Sequence, residues 1–286
     1  ETIYTCYVMD AKRKLEGIVS LRKLVLLDEK CIIGDMMDKD FIATKTIDDQ
    51  EEIATVFKKY DLLSLPVVDK EGRLVGIITI DDIVDVIEQE NTEDFQKMAA
   101  MEPSEEEYLH SGVIALAKRR IPWLLILMVS ATLTENIIGK FEDVLQAVAL
   151  LAASIPMLMD TGGNAGSQSS TLIIRGIALG EIELGDYLKV LIKELRVSLL
   201  VGTILGSINF IRMLVITAAG FKIAFTVSVT LVITVVMAKV VGGLLPMIAK
   251  KFKMDPAIMA GPLITTIVDA IALMIYFNIA TVLIGL

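Results

Sequence analysis

Hydrophobic and polar positions divide this chain into two unlike halves. Up to about residue 116, short apolar stretches alternate with polar and charged residues, whereas residues 121–286 consist mainly of long apolar runs. An apolar run of about 20 residues is long enough to cross the hydrocarbon core of a bilayer as a helix. The pattern therefore predicts a soluble α+β domain followed by an all-α polytopic membrane domain.

A β–β–α pattern occurs twice in the first half. The first copy has strands at 7–10 and 17–21 and a helix opening over Leu24 to Leu27; the second has strands at 65–69 and 76–80 and a helix from Asp81. An internal repeat is a fold-level signal. It predicts two related units, the second complete over residues 33–90 and the first incomplete, with the chain beginning inside a domain.

The segment 81–107 is strongly acidic. It contains 11 acidic residues and a single basic one, Lys97. The negative charges of such a segment repel one another, and bound divalent cations would relieve this repulsion. The alternative is a solvated acidic surface. The candidate regulatory metal ligands are Asp81, Asp82, Asp85, Glu102, Glu105 and Glu106.

The apolar half predicts five membrane spans, over residues 121–138, 144–175, 190–211, 224–249 and 256–286. Basic residues near span ends favour the cytosolic side. With the amino end in the cytosol, ten of them lie inside and three, Lys140, Arg212 and Lys222, lie outside. We therefore expect a multi-pass protein of the cell (plasma or inner) membrane, with its amino end cytosolic and its carboxyl end outside.

The stretch 156–170 interrupts the apolar pattern with Asp160, Asn164, Gln168 and three glycines. Lipid cannot hydrogen-bond an exposed backbone, so a broken segment at this depth must be buried in protein or line an aqueous path. Carboxylate, amide and backbone oxygens are ligands for small hard cations. The prediction is a broken second span in which Asp160, Gly163 and Asn164 face an ion path. The alternative is a close helix crossing mediated by glycines.

The last predicted span carries Gly261, Thr265 and Asp269 four residues apart, on one helical face. An ionisable residue inside a span is a functional candidate by default. Asp269 and Thr265 are therefore candidate pore residues. The alternative for Asp269 is a salt bridge to Lys239, for which Asp160 is an equally plausible partner.

The repeat resembles the cystathionine-β-synthase (CBS) module. Together with the motifs at 156–170 and 255–269, the whole chain resembles the MgtE family of magnesium channels. The resemblance implies a CBS domain over 1–92, a connecting plug helix over 93–117 and a transmembrane domain over 118–286. It further implies a homodimer with one central pore, in which Asp269 of both subunits binds Mg²⁺, and closure by cytosolic Mg²⁺ bound to the acidic segment.

This sequence departs from the family pattern in three respects. It lacks the family's acidic N-terminal helical domain and half of the first CBS unit, so weakened magnesium sensing is expected. Gly261 stands where some members carry asparagine.

In nucleotide-binding CBS modules a Thr/Ser and an Asp contact adenosine. The match at Thr79 and Asp82 implies binding of a nucleotide such as ATP. A purely structural pair without nucleotide is the alternative.

The resulting hypothesis is a magnesium-selective channel that imports Mg²⁺. The competing classes are an ion-coupled secondary divalent cation transporter, an intramembrane enzyme and a membrane-anchored nucleotide sensor. Against an enzyme, the sole histidine, His110, lies outside the apolar runs, and no metalloprotease or serine-hydrolase signature occurs. The net charge of −9 makes nucleic acid an unsuitable partner. Cys6 and Cys31 form no metal-type spacing, which fits a reducing compartment.

Overall fold

The structure, a computed structural model, describes residues 4–26, 28 and 30–285. The predicted ends at Leu27 and Leu286 lie outside the described residues. The chain divides into two compact units, with the boundary between residues 92 and 93. The elements of the first unit are β1 Thr5–Met9, β2 Leu15–Ser20, α1 Leu21–Val25, α2 Ile33–Met36, β3 Thr44–Lys45, α3 Gln50–Tyr60, β4 Ser64–Val68, β5 Leu74–Thr79 and α4 Ile80–Met98, the last of which continues past the boundary.

The predicted repeat is present down to its strand register. β1 pairs with β2 antiparallel, and β4 pairs with β5 in the same way, while β3 joins the edge of β4 in parallel. In the first hairpin Val8 faces Gly17 before the register shifts; in the second, Val67 faces Gly76 before the same shift. Each turn is closed by one aspartate, Asp10 or Asp69, whose carboxylate accepts two backbone N–H bonds.

The core of the first unit lies beside the second hairpin. Phe57 and Ile53 on α3 pack with Leu65 on β4 and Ile83 on α4, and all four side chains are buried. α3 begins at Asp49, whose carboxylate accepts the backbone N–H of Glu51, an N-cap that satisfies one of the otherwise free donors of the first turn.

The second unit is helical. Its elements are α5 Val113–Lys140, α6 Glu142–Ala147, α7 Ala149–Ala178, a 3₁₀ turn Leu184–Asp186, α8 Tyr187–Val215, α9 Phe221–Lys251, a 3₁₀ turn Pro256–Met259, α10 Gly261–Ala280 and a π-helical turn Thr281–Gly285. α9 is central and packs against α7, α8 and α10, while α5 packs along α10.

Four helices among the described residues are long and apolar enough to cross a membrane: Val113–Lys140, Leu184–Val215, Phe221–Lys251 and Pro256–Gly285. The predicted count of five spans is therefore not confirmed. α7, the remaining long helix, has 30 residues, which is a length of about 45 Å, but the polar motif dilutes its apolar character.

The connection into the membrane unit differs from the prediction. Residues 93–98 are the last turns of α4, residues 99–112 form an irregular segment, and the next helix starts at Val113. The stretch 93–117 is thus not one continuous helix. Backbone geometry marks the break, because Ala100 has a positive φ of 52° that ends α4.

The core of the membrane unit is held by large buried side chains at the junction of α7, α9 and α10. Tyr276 is fully buried and donates its hydroxyl to the Leu151 carbonyl at 3.0 Å. Phe277 stacks on Phe141 with ring centroids 4.6 Å apart. Hydrogen bonding of the Tyr276 hydroxyl removes the penalty of burying it, so this contact fixes the start of α7 against α10. The Phe141–Phe277 contact joins the junction of α5 and α6 to α10.

A candidate ion path in the membrane unit

Asp269 lies on α10, and its partly buried carboxylate is only partly satisfied. Among the described residues, its Oδ1 atom is buried without a hydrogen-bond partner. One turn earlier, Thr265 donates its hydroxyl to the Pro262 carbonyl at 2.8 Å, so it satisfies its own helix rather than Asp269. A buried carboxylate oxygen without a donor is costly unless something else, such as a cation, occupies the site.

The predicted break in the 156–170 stretch is wrong. α7 runs without interruption from Ala149 to Ala178, with Pro156 inside it. The glycines therefore do not present free carbonyls; instead they permit close packing. A Cβ atom on Gly163 would lie 2.8 Å from Thr265 Cγ2, and one on Gly242 of α9 would lie 2.2 Å from the Gly166 carbonyl oxygen. The alternative of a glycine-mediated crossing describes this backbone, which agrees with the need to satisfy every backbone group within lipid.

The polar residues of the same motif lie on the other face of α7. Asp160, Asn164 and Gln168 are spaced four residues apart and are exposed in the single chain. Asn164 donates its amide N–H to Asp160 Oδ1 at 3.0 Å. Asp160 and Asp269 are near enough to interact electrostatically. The motif thus has a packing face of glycines and a polar face that approaches the α10 carboxylate.

Lys239 pairs with neither Asp269 nor Asp160, so neither of the two alternatives considered for it is observed. It is buried on α9 and donates to Ser169 Oγ at 3.4 Å, and Ser169 in turn donates to Glu194 Oε2 at 2.6 Å. We call these three residues the α7–α8–α9 network. Ser169 and Glu194 were not identified from the sequence, although Glu194 is the only carboxylate within α8, a signal of the same kind as Asp269.

The end of α4 is anchored to the beginning of the last span. Lys97 pairs with Glu93 and donates to Asp255 Oδ2 at 2.5 Å. Burial alone would lower the pKa of Lys97, but hydrogen bonds with Asp255 and Glu93 raise it above its ordinary value. Met98 packs with Ile174, Ala257 and Ala260 in a small apolar cluster. Asp255 was not among the predicted site residues.

Gly261 is required at this anchor. Its φ is +34°, and a Cβ atom would lie 2.8 Å from the Met98 carbonyl oxygen. A side chain here would both strain the backbone and collide with the end of α4. The glycine at position 261 therefore allows α4 to approach the start of α10.

The predicted regulatory acids do not form a compact site within one chain. All six are exposed, and no group of three or more potential metal-ligating side chains is found in the part of the chain that the structure describes. Glu106 pairs with Arg119 at 3.1 Å. The choice between regulatory ligands and a solvated acidic surface therefore stays open.

The predicted nucleotide residues form a helix cap. The backbone N–H and the hydroxyl of Thr79 donate to Asp82 Oδ2 at 2.9 and 2.7 Å, at the start of α4. These two bonds hold the pKa of the Asp82 carboxyl below its ordinary value. Ser20, the counterpart in the first repeat, instead accepts the backbone N–H of Lys23. Nucleotide binding stays a prediction.

Comparison with known proteins gives matches in both halves of the chain. The family described as MgtE, divalent cation transporter, matches residues 155–279, and the CBS domain matches residues 33–89. The resemblance to the MgtE family is thereby confirmed. The matched region contains both halves of the candidate ion path, from Asp160 on α7 to Asp269 on α10.

Relatives match almost the whole chain. The magnesium transporter MgtE of Thermus thermophilus is 41% identical over 99% of this chain and 62% of its own length, and that of Bacillus subtilis is 36% identical over 98% and 62%. A solved structure of the cytosolic domain of the Mg²⁺ channel MgtE in complex with ATP is 48% identical, covers 30% of this chain and 35% of its own, and gives a TM-score of 0.30. The chain spans about three fifths of the length of the two transporters, and both are transporters rather than enzymes.

Proposed function

We propose that this chain forms an Mg²⁺-conducting path in which Asp269 holds the ion. The observation that carries the proposal is the Asp269 Oδ1 atom, buried without a hydrogen-bond donor among the described residues. Leaving a buried charged oxygen unpaired costs at least about 1–3 kcal/mol, a cost that a bound cation would offset. The choice of Mg²⁺ follows from the names of the relatives, which are magnesium transporters.

The neighbours of Asp269 suit a hydrated divalent ion. The charge of Asp160 acts on Asp269, and a divalent cation would relieve their repulsion. Asn164 uses its N–H group on Asp160, so its amide oxygen can accept from water bound to the ion. Mg²⁺ prefers six oxygen ligands and keeps several of its waters, which suits a path with few carboxylates. Thr265 and Gly163, in contact with each other, form the adjoining wall.

A second copy of the chain would complete the path. Asp160, Asn164 and Gln168 are exposed along a helix of the membrane unit. A polar face of this kind is unfavourable against lipid and belongs next to protein or water. In a homodimer with the two polar faces opposed, α7 would serve as the fifth span, and two Asp269 carboxylates would supply two negative charges for one divalent ion.

Closure would involve the anchor between α4 and the last span. In this proposal cytosolic Mg²⁺ binds at Asp81, Asp82, Asp85, Glu102, Glu105 and Glu106 and stabilises the seated position of the α4 end. Lys97 already places a permanent cation at Asp255, so part of the closing energy is independent of magnesium. The path would import Mg²⁺, with the amino end of the chain cytosolic and the carboxyl end outside.

Uptake of Mg²⁺ by liposomes containing the purified chain and an internal magnesium-sensitive dye tests the proposal. We expect uptake that follows the Mg²⁺ gradient and is unchanged by an imposed pH gradient, and loss of uptake in Asp269→Ala. Asp143→Ala, which removes an exposed carboxylate on α6, is the matched control and should retain uptake. Uptake driven by the pH gradient would support an ion-coupled transporter. Equal uptake in the two variants would remove Asp269 from the path.

A further inference from the structure

An apolar groove runs between α8 and α9, away from the candidate ion path. Its volume is about 440 Å³, and its walls include the exposed side chains Ile211, Phe221 and Phe225. Phe221 contacts Phe210 edge to face and stacks with Phe225, with centroid separations of 5.6 and 6.1 Å. Its floor is closed at Gly206, where a Cβ atom would lie 2.5 Å from Val232 Cγ2.

The dimensions of the groove correspond to one leaflet of a bilayer. Its lining extends from Phe221, the first residue of α9, to Val232, which is about 16 Å along the helix axis. Half of a hydrocarbon core of about 30 Å is about 15 Å. The groove therefore begins at the membrane surface, where α8 ends and α9 begins, and ends near the midplane.

The surface end of the groove is positively charged. Arg212, near the end of α8, and Lys222, at the start of α9, are both exposed there. Arg212 donates from Nε and Nη2 to Asn209 Oδ1 at 3.1 and 2.8 Å, and Asn209 donates to Ser228 Oγ at 3.1 Å. Asn209 is buried and Ser228 lines the groove, so the guanidinium is fixed relative to the groove wall.

The part of the chain that the structure describes supplies no counter-anion to this rim. Among the described residues, neither Arg212 nor Lys222 forms a salt bridge. Arg212 has five N–H donors in a planar fork that matches a phosphate. The bonds to Asn209 and a weak contact from Nη2 to Met157 Sδ at 3.7 Å leave part of that fork for a ligand. An apolar groove one leaflet deep beneath two unpaired cations is complementary to a lipid with an anionic headgroup.

We propose that the α8–α9 groove binds an anionic phospholipid, with an acyl chain against the phenylalanines and the phosphate held by Arg212 and Lys222. The groove itself is separate from the candidate ion path, because its lining residues belong to α8 and α9. At its rim, Arg212 also contacts Met157 of α7, with Nη2 3.7 Å from Sδ. Binding there would strengthen the packing of α8 on α9 from the lipid side.

Native mass spectrometry of the full chain, released from detergent micelles containing phosphatidylglycerol or phosphatidylcholine, tests the headgroup part of the proposal. The wild type should retain phosphatidylglycerol about tenfold better than phosphatidylcholine, and Arg212→Gln/Lys222→Gln should abolish this preference. Lys140→Gln removes an exposed cation at the end of α5 and should behave as wild type. Equal retention of the two lipids by the wild type would overturn the proposal, and so would a double variant that prefers phosphatidylglycerol as strongly as the Lys140 control does.

Filling the groove tests the acyl-chain part. Ser207 lines the groove and is exposed, so Ser207→Trp should fold, as an unchanged thermal unfolding transition would verify. With both cations intact, this variant should lose the retained phosphatidylglycerol. Undiminished retention would refute binding in the groove. Dissociation of an oligomer instead of loss of lipid would show that a second copy occupies the groove.

Discussion

The membrane unit contains two intramembrane charged sites that differ in how far the protein hydrogen-bonds them. In the α7–α8–α9 network, Lys239 and Glu194 are joined through Ser169 by hydrogen bonds of 3.4 and 2.6 Å. Asp269, one helix away, keeps an oxygen without a donor among the described residues. The same helix bundle therefore supplies a hydrogen-bond donor to Glu194 and leaves Asp269 Oδ1, among the described residues, without one.

This difference separates a structural role from a functional one. Two buried charges joined through a hydrogen-bonded serine favour one arrangement of helices, and removing one of the charges leaves the other uncompensated. A carboxylate without partners contributes little to the fold and is retained for a ligand. Substitutions that break the contacts of a carboxylate with protein partners should therefore lower stability, whereas substitution of Asp269 should lower Mg²⁺ flux.

The largest expected loss of stability follows from breaking the network. Lys239→Met leaves Glu194 buried without a cation, which should lower the free energy of unfolding by about 3–5 kcal/mol. Lys239→Met/Glu194→Gln removes both charges and should recover most of this loss. Thermal unfolding of the purified chain in detergent measures the difference. A double variant as unstable as the single one would show that the two charges are not coupled.

The helix crossing that keeps Ser169 beside Lys239 is the next target. A Cβ atom on Gly242 would lie 2.2 Å from the Gly166 carbonyl oxygen, so Gly242→Ala must separate α7 from α9. We expect a loss of about 3 kcal/mol, at the upper end of overpacking effects. Gly139→Ala is the control, because nothing lies within 4 Å of its Cβ position. Equal unfolding temperatures for the two variants would contradict the observed close approach.

The carboxylate of Asp255, just before the last span, accepts a hydrogen bond from Lys97 on α4. Lys97→Met removes its hydrogen bond and should cost about 2 kcal/mol, within the range for bonds to charged groups. Because Lys97 anchors α4 to the last span, the variant should also raise Mg²⁺ uptake at millimolar cytosolic magnesium. Lys70→Met, on the exposed turn between β4 and β5, is the control for lost charge. Unchanged unfolding and uptake would show that the anchor has no effect.

The smallest effect is expected at Asp82. Thr79→Ala removes the hydroxyl that donates to this carboxylate and should cost about 1 kcal/mol at neutral pH, as other lost caps do. Because the bonds from Thr79 lower the pKa of Asp82, the difference should be full above the ordinary value of 3.8 and fade as the pH falls through the lowered pKa. A difference that grows on acidification would contradict this assignment.

Local pattern predicted much of this molecule. The repeat at Gly17 and Gly76 and the long apolar runs depend on neighbouring residues, and the structure contains the hairpins and four of the predicted spans. The prediction for the 156–170 motif was wrong because its polar residues and glycines were interpreted as an interruption of the helix. In lipid an unbroken helix is the cheaper way to satisfy the backbone, and small residues serve close packing instead.

The partner of Lys239 could not be predicted from the sequence. Three helices determine it together, and Ser169 and Glu194 lie 70 and 45 residues away from Lys239 along the chain. Asp269 could be predicted, because a lone carboxylate in an apolar span stands out without any knowledge of its neighbours. The sequence is thus informative about which charges are unusual, and the fold determines which of them are satisfied.

The most direct measurement compares Mg²⁺ uptake and thermal unfolding side by side in Asp269→Asn and in Lys239→Met/Glu194→Gln. Loss of one negative charge at about 4 Å from a divalent cation is worth about 8 kcal/mol at an effective dielectric constant of 20, so Asp269→Asn should reduce uptake at least about tenfold. Because the Asp269 Oδ1 atom has no donor among the described residues, removal of the charge should leave the unfolding temperature at or above the wild-type value. The double variant should retain uptake. Uptake within twofold of wild type in Asp269→Asn, or loss of uptake confined to the double variant, would contradict the account.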